Sequence, residues 1–340
     1  MSRLAATFCL LILLTATRVE AQNIRLVSRK SEKRVNVVID GRLFTSYRWN
    51  KRYERPVLYP VMSAGGGFIT RGFPFETRDG DTVDHPHQVG CSFSYGSVNG
   101  SDFWNTSTFR KANELEKMGR IVQKAIVSVK SGKHLGRLVT KSTWVMPDGK
   151  AVLFETARYH FHAVGKKRWI DRETSLTAAG GDVVFGDSKE GMFAIRIASE
   201  LEQDDQTGVK VTSRDGVVTT QKSNAGNAGR YFNSEGLTGD KVWGTLGKWG
   251  AVSGMLGGEA VTVALFDHPK NTNFPPYMMI RGYGLLALNS FGQKLFEPAK
   301  EERKFTLSLG SSITFRHRLL ILPENATRET VDHEYQSFAK

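Results

Sequence analysis

Residues 35–47 read VNVVIDGRLFTSY, and this stretch decides the fold. Val35, Val37, Val38 and Ile39 are β-formers whose branched side chains suit a pleated surface. Asp40-Gly41 then supplies the two residues that a tight hairpin turn needs, and Leu43 to Tyr47 resumes in strand style. Strand, two-residue turn and strand make a β-hairpin.

The same pattern recurs along the chain. Residues 121–129 alternate, 138–145 follow, and Pro147-Asp148-Gly149 turns the chain into a long run from Ala151 to His162. Residues 193–197, 209–212, 217–221, 260–266, 281–287, 305–309 and 312–322 continue it. Helical periodicity is confined to 108–118 and 328–338. Many short strands joined by glycine-rich turns imply an all-β, mostly antiparallel β-sandwich, not a helix-covered parallel sheet. No internal repeat or low-complexity linker divides residues 22–340, so one domain is expected.

Residues 1–21 carry Arg3, an apolar run centred on FCLLILL and a small-residue ending, Val19-Glu20-Ala21. That run is shorter than the ~20 residues that span a bilayer, and it reads as a secretory signal peptide. A secreted or periplasmic protein with no integral membrane segment is expected. The net charge is +13, and the loss of Arg3, Arg18 and Glu20 leaves +12. The basic residues form short groups interleaved with acidic ones, and no nucleic-acid module appears, so no nucleic-acid partner is expected. Of two cysteines, only Cys91 lies beyond the leader, which excludes an intramolecular disulfide and a cysteine zinc site. No phosphate-cradling or dinucleotide motif is present, and no cofactor or metal is assigned.

The chemistry concentrates in DHPHQVG (84–90), followed by Tyr95-Gly96 and NGSDFW (99–104). Pro86 holds the preceding residue extended, so His85 and His87, two apart, are expected to point the same way. Asn99-Gly100 turns the chain and delivers Asp102 and Trp104 close behind. Imidazoles, a carboxylate and an indole suit a polar ligand with an apolar face, such as a sugar ring. The bland alternative is a loop whose histidines bond only to neighbouring backbone.

The run DHPH…G…YG-VNG-DFW resembles the signature of a bacterial family labelled "methane oxygenase PmoA", a domain of unknown function. RPVLYP (55–60), TRGFP (70–74), GDSKEGMFAIR (186–196) and DHPKN…IRGYGLLALNSFG (267–292) extend the resemblance over most of the chain. Where that family usually reads HPHHRG, this chain has His87-Gln88-Val89-Gly90, and WGTLGKWGAVSG (243–254) lacks the family's Asp. The resemblance implies a galactose-mutarotase-like supersandwich and a carbohydrate context. Nothing in the chain resembles a membrane copper monooxygenase.

Three further groups stand out. Lys189-Glu190 sit side by side between glycines, a cation beside a possible general base. Asp267-His268-Pro269-Lys270-Asn271 repeats the D-H-P pattern after a strand. Arg281 and Tyr283 offer a planar fork for an oxygen and a ring for stacking. Expected as catalytic are His87 and His268 as an acid/base pair with Glu190. Expected as substrate-binding are Arg71, His85, Asp102, Trp104, Lys189, Asn271, Arg281 and Tyr283. The partner is then a carbohydrate or glycoside, handled by an epimerase, lyase or hydrolase. A non-catalytic binder and a metal enzyme using His85 or His87 with His268 are the alternatives. His160 and His162, at i and i+2 on one strand face, lack a third ligand.

Overall fold

The computed structural model describes residues 22–204, 206, 208–222 and 228–340, and the expected signal peptide lies outside them. Residues 35–47 form the hairpin: Val38 pairs with Leu43 and Ile39 with Arg42. Asp40 and Gly41 both take positive φ, 48° and 82°, the geometry whose twist matches paired strands.

Two large antiparallel sheets face each other. The nine-stranded sheet runs Tyr277–Met278, Leu285–Asn289, Gly191–Arg196, Cys91–Tyr95, Val57–Val61, Arg42–Arg48, Arg34–Ile39, Asn23–Arg29 and Gly132–Lys133. The eight-stranded sheet runs Arg230–Asn233, Trp249–Leu256, Glu259–Asp267, Ser312–Leu322, Lys167–Ala178, Ala151–Val164, Leu135–Val145 and Arg120–Lys130. Every pairing is antiparallel, so the chain is an all-β sandwich, as the alternation implies. Residues of the inner faces, among them Phe93, Trp144, Phe193 and Phe315, form one buried core. Burying each such ring contributes roughly 1.5–3 kcal/mol. Glu155, inside an otherwise apolar run, points into this core and meets Arg172 at 2.7 Å and the Trp144 indole at 2.8 Å.

The helical expectation holds at one end. Helix α2 spans Arg328–Phe338, capped by Thr327, and buries Val331 and Tyr335, one turn apart, against the outer side of the eight-stranded sheet. The pattern over 108–118 gives only α1, Ala112–Leu115, which buries no side chain and has no side-chain cap. Without a packed face a short helix has little to hold it. The strand expected over 281–287 begins at Leu285 instead. Gly284, at φ 94°, turns the chain, and Arg281 N donates to Leu285 O at 2.8 Å. Arg281 and Tyr283 therefore hang on a turn. No helix among the described residues is long and apolar enough to cross a membrane.

Candidate functional site

The site lies on the outer side of the nine-stranded sheet. In Gly191–Arg196 alternate side chains face opposite ways. Phe193 turns inward to stack on His317 at 4.8 Å, so Ala194 and Arg196 turn outward. All six residues are buried, because long loops cover this side. A buried guanidinium needs partners. Arg196, 1% exposed, donates to Gln88 Oε1 at 2.9 Å and pairs with Asp84 Oδ1 at 2.8 Å and Glu202 Oε1 at 3.2 Å. Arg71, equally buried, donates to the Asp84 carboxylate, to the Asp84 carbonyl at 2.9 Å and to Thr82 O at 3.1 Å.

These two arginines fix the charge of Asp84. Burial works against its ionisation, but Arg196, a hydrogen bond from His85 and Arg71 outweigh it and hold the carboxyl well below the usual carboxylate range. Glu202 goes the other way: burial outweighs Arg196 and pushes it up to about 7. A third arginine, Arg55, is also buried and donates to the carbonyls of Trp104, at 2.8 Å, and His87, which fixes the two loops together.

The histidine loop is a turn, not the extended segment expected. His85 has φ 39°, and Gln88 N donates to His85 O at 2.9 Å. The two rings lie 5.8 Å apart but differ in setting. The His85 side chain is 41% exposed, and its Nδ1 lies 2.8 Å from Asp84 Oδ2, which leaves Nε2 without a partner among the described residues. Its ring stacks on Tyr283 at 4.7 Å and 8°. His87 is buried; burial first, then Arg55, lowers its pKa to about 3, so its ring is neutral at ordinary pH.

Glu190 joins this group. Burial raises its pKa; Lys189, at 3.9 Å, opposes that, Asp102 adds to it, and His85 and Arg281 oppose it. Asp102, His85 and Arg281 therefore each lie within electrostatic reach of Glu190, although they are far from it in sequence. A cleft of about 730 Å³ opens beside them, lined by Asp84, Glu202, Arg281 and Tyr283 among others.

Several expected residues have other surroundings. The Asp102 carboxylate caps its own loop, accepting from Trp104 N at 2.8 Å and Asn105 N at 2.9 Å. Trp104 is 2% exposed and packs with Tyr277 and Phe296, so it offers no open ring platform. Tyr283 carries His85 on its ring and the Arg196 guanidinium 4.9 Å from its centre. Arg281 lies over Trp243 at 4.2 Å. Asn271 braces its loop through Asp267 Oδ1, at 2.7 Å, and Arg316 O, at 2.8 Å. His268 packs edge-on to Phe338 of α2 and accepts from Lys270 N at 3.1 Å. It follows strand Glu259–Asp267 of the eight-stranded sheet, and among the described residues no hydrogen bond, ion pair or ring contact links it to the His85–His87 turn. His160 and His162 share the outer face of their strand, where His162 stacks on Trp169 at 4.6 Å. Among the described residues, no three of His, Cys, Asp and Glu stand close enough together to hold a metal ion.

Arg196, Glu202, Gln88 and Arg55 were not expected. Arg196 had a signal, an arginine inside the apolar run MFAIRI, because a charge in a buried strand requires a built polar partner.

Comparison with known proteins gives fold-level likeness only. The galactosidase domain of an alpha-galactosidase-sucrose kinase, AgaSK, matches at 8% identity and TM-score 0.42, over 88% of this chain and 42% of its own. A GH36 alpha-galactosidase, AgaA, from Geobacillus stearothermophilus matches at 10% identity and TM-score 0.39, over 89% of this chain and 41% of its own. This chain thus spans about two fifths of those galactosidase chains. A putative aldose 1-epimerase from Escherichia coli K12 matches at 11% identity and TM-score 0.26, over 88% of this chain and 99% of its own. Likeness this distant carries neither residues nor activity across. No curated protein matches the sequence. The profile of a family of unknown function, DUF6807, covers residues 34–336, and the chain belongs to that family.

Proposed function

We propose that this is an exported carbohydrate-active protein that moves protons on a sugar or glycoside, with His85 and Glu190 as the exchanging groups. The observation that carries the reading is the Asp84–His85 couple: a carboxylate kept ionised by two buried arginines holds Nδ1 at 2.8 Å and leaves Nε2 open. Such a carboxylate fixes the tautomer and orientation of an imidazole. Glu190, whose burial favours its protonated form, is the second group. Arg281, on its turn beside the cleft, is placed to hold a substrate oxygen by its planar fork. In an epimerisation or elimination one group accepts a proton from the substrate carbon and the other donates one to the substrate. The neutral ring of His87 and the position of His268 give no support to an acid/base pair made of those two. The leader-like pattern of residues 1–21 supports export, and the buried core shared by both sheets supports the single-domain reading.

The test is incubation of mature protein in D2O with a panel of aldoses, keto-sugars and glycosides, followed by proton NMR. Deuterium entering at one ring carbon, interconversion of epimers, or an eliminated product supports the reading. Saturable sugar binding with no exchange and no product contradicts it and leaves a binding protein. That second reading has a specific observation behind it: both Asp102 oxygens and the Tyr283 ring are occupied within the protein.

A further inference from the structure

The outer face of the eight-stranded sheet lies on the opposite side of the sandwich from this site. Tyr159 and Phe161 turn inward to the core, so Arg158, His160 and His162 turn outward. Directly paired residues share a face, which fixes the rows that cross it. One row runs Lys130, Arg137, His160, Asp171, Arg318. The next runs Ser128, Val139, Arg158, Glu173, Arg316, and a third Ala125, Lys141, Thr156, Ser175, Thr314.

These three rows therefore carry six cations (Lys130, Arg137, Lys141, Arg158, Arg316 and Arg318) against two carboxylates, Asp171 and Glu173. Asp171 is taken by Arg318, at 2.6 and 2.9 Å. Glu173 is shared between Arg158 and Arg316, each at 3.2 Å. Lys130, Arg137 and Lys141 are exposed and have no ion-pair partner among the described residues. Adjacent strands lie about 4.8 Å apart, so the surplus positive charges are anchored at fixed backbone positions on two neighbouring strands.

We infer that this face binds an acidic polysaccharide, a linear chain of repeating carboxylated or sulfated sugars. Its unpaired cations match a repeating anion, and the neighbouring hydroxyls of Thr156, Ser175 and Thr314 match a polyol. A nucleic acid fits less well. The helix on this side, α2, lies packed against the sheet through Val331 and Tyr335 and is not free to enter a groove. Of the indoles here, Trp169 is stacked on His162 and Trp249 is fully buried beneath α2, so bases have no free platform. A lipid surface fits less well too, because the three rows carry charges and hydroxyls, not a continuous apolar belt. The inference goes beyond the proposed function. A polymer held here leaves the opposite cleft open.

The test is titration of mature protein with polygalacturonate, with neutral dextran, duplex DNA and anionic phosphatidylglycerol vesicles in parallel, at low and at physiological salt. Polygalacturonate is expected to bind, to weaken as salt rises, and to outcompete the other three. Arg137→Glu/Lys141→Glu is expected to weaken it at least tenfold. Lys30→Glu/Lys304→Glu, which removes the same charge elsewhere, is expected to change it less than twofold. Should the glutamate pair unfold the chain, Arg137→Gln/Lys141→Gln with an unchanged circular dichroism spectrum is expected to weaken binding at least threefold. No binding, equal loss in both charge-matched variants, or tighter binding to DNA or vesicles overturns the inference.

Discussion

The Asp84 carboxylate lies 2.8 Å from His85 Nδ1 through one oxygen and 2.8 Å from the Arg196 guanidinium through the other. A buried cation on the sheet is thereby connected to the one histidine of the DHPH turn that reaches solvent. Arg71 secures the same carboxylate from a second loop. This arrangement makes the electrostatics of the cleft depend on groups that a ligand does not touch.

Asp84→Asn keeps the shape but removes the charge between two buried arginines. Breaking such a pair typically costs about 3–5 kcal/mol, and the lower end is expected here because the Asp84 side chain is 32% exposed. Urea denaturation of wild type and variant checks the figure. Stability equal to wild type contradicts the assigned pairing.

His87 gives a pH signature. An unfolded histidine ionises near pH ~6.5, whereas the buried one has a pKa of about 3. Above pH ~6.5 both states are neutral and the full stability is present; as pH falls toward 3, the unfolded chain takes a proton that the folded one refuses. The loss approaches about 1.4 kcal/mol per pH unit. Glu202 works oppositely: with its pKa raised to about 7, it adds stability as pH falls from 7 toward its unfolded value near ~4.3. Subtracting the His87→Gln stability curve from that of wild type isolates the histidine. A difference that does not change between pH 6.5 and 4 contradicts its buried, neutral state.

Inside the sandwich, Glu155 and Arg172 are each about 5% exposed and meet at 2.7 Å. Glu155→Ala leaves that guanidinium alone in the core and is expected to cost about 3–5 kcal/mol. Thermal melts of Glu155→Ala beside Glu173→Ala, an exposed ion-pair partner expected to cost under ~1 kcal/mol, check the contrast. Comparable losses contradict it.

The parts of the fold legible in the sequence are those where local preference and burial agree. Asp40-Gly41 suits positive φ, and 151–162 alternates because one side faces the core. Likewise, α2 has a capping Thr327 and an apolar stripe. Elsewhere local signals mislead. Pro86 disfavours helix at His85, but positive φ satisfies that restriction as well as an extended strand does, so the turn was not legible. Residues 281–284 look like the start of a strand, yet Gly284 supplies a turn that presents Arg281 and Tyr283. The repeated D-H-P pattern places His268 against Phe338, since a tripeptide carries no information about which sheet its strand joins. Arg196 showed as a charge in an apolar run, but its partner Asp84, and Glu202's partner Thr82, come from a loop more than a hundred residues away in sequence, so the pairing was not legible.

The most direct measurement of the central claim is the exchange rate on the best substrate of the sugar panel for wild type, His85→Ala, Glu190→Gln and His268→Ala, with folding checked by circular dichroism. General acid–base groups typically contribute about 10²–10⁴-fold. His85→Ala and Glu190→Gln are therefore each expected to lose at least ~100-fold, while His268→Ala stays within about threefold of wild type. Activity abolished in His268→Ala but retained in His85→Ala would contradict the account.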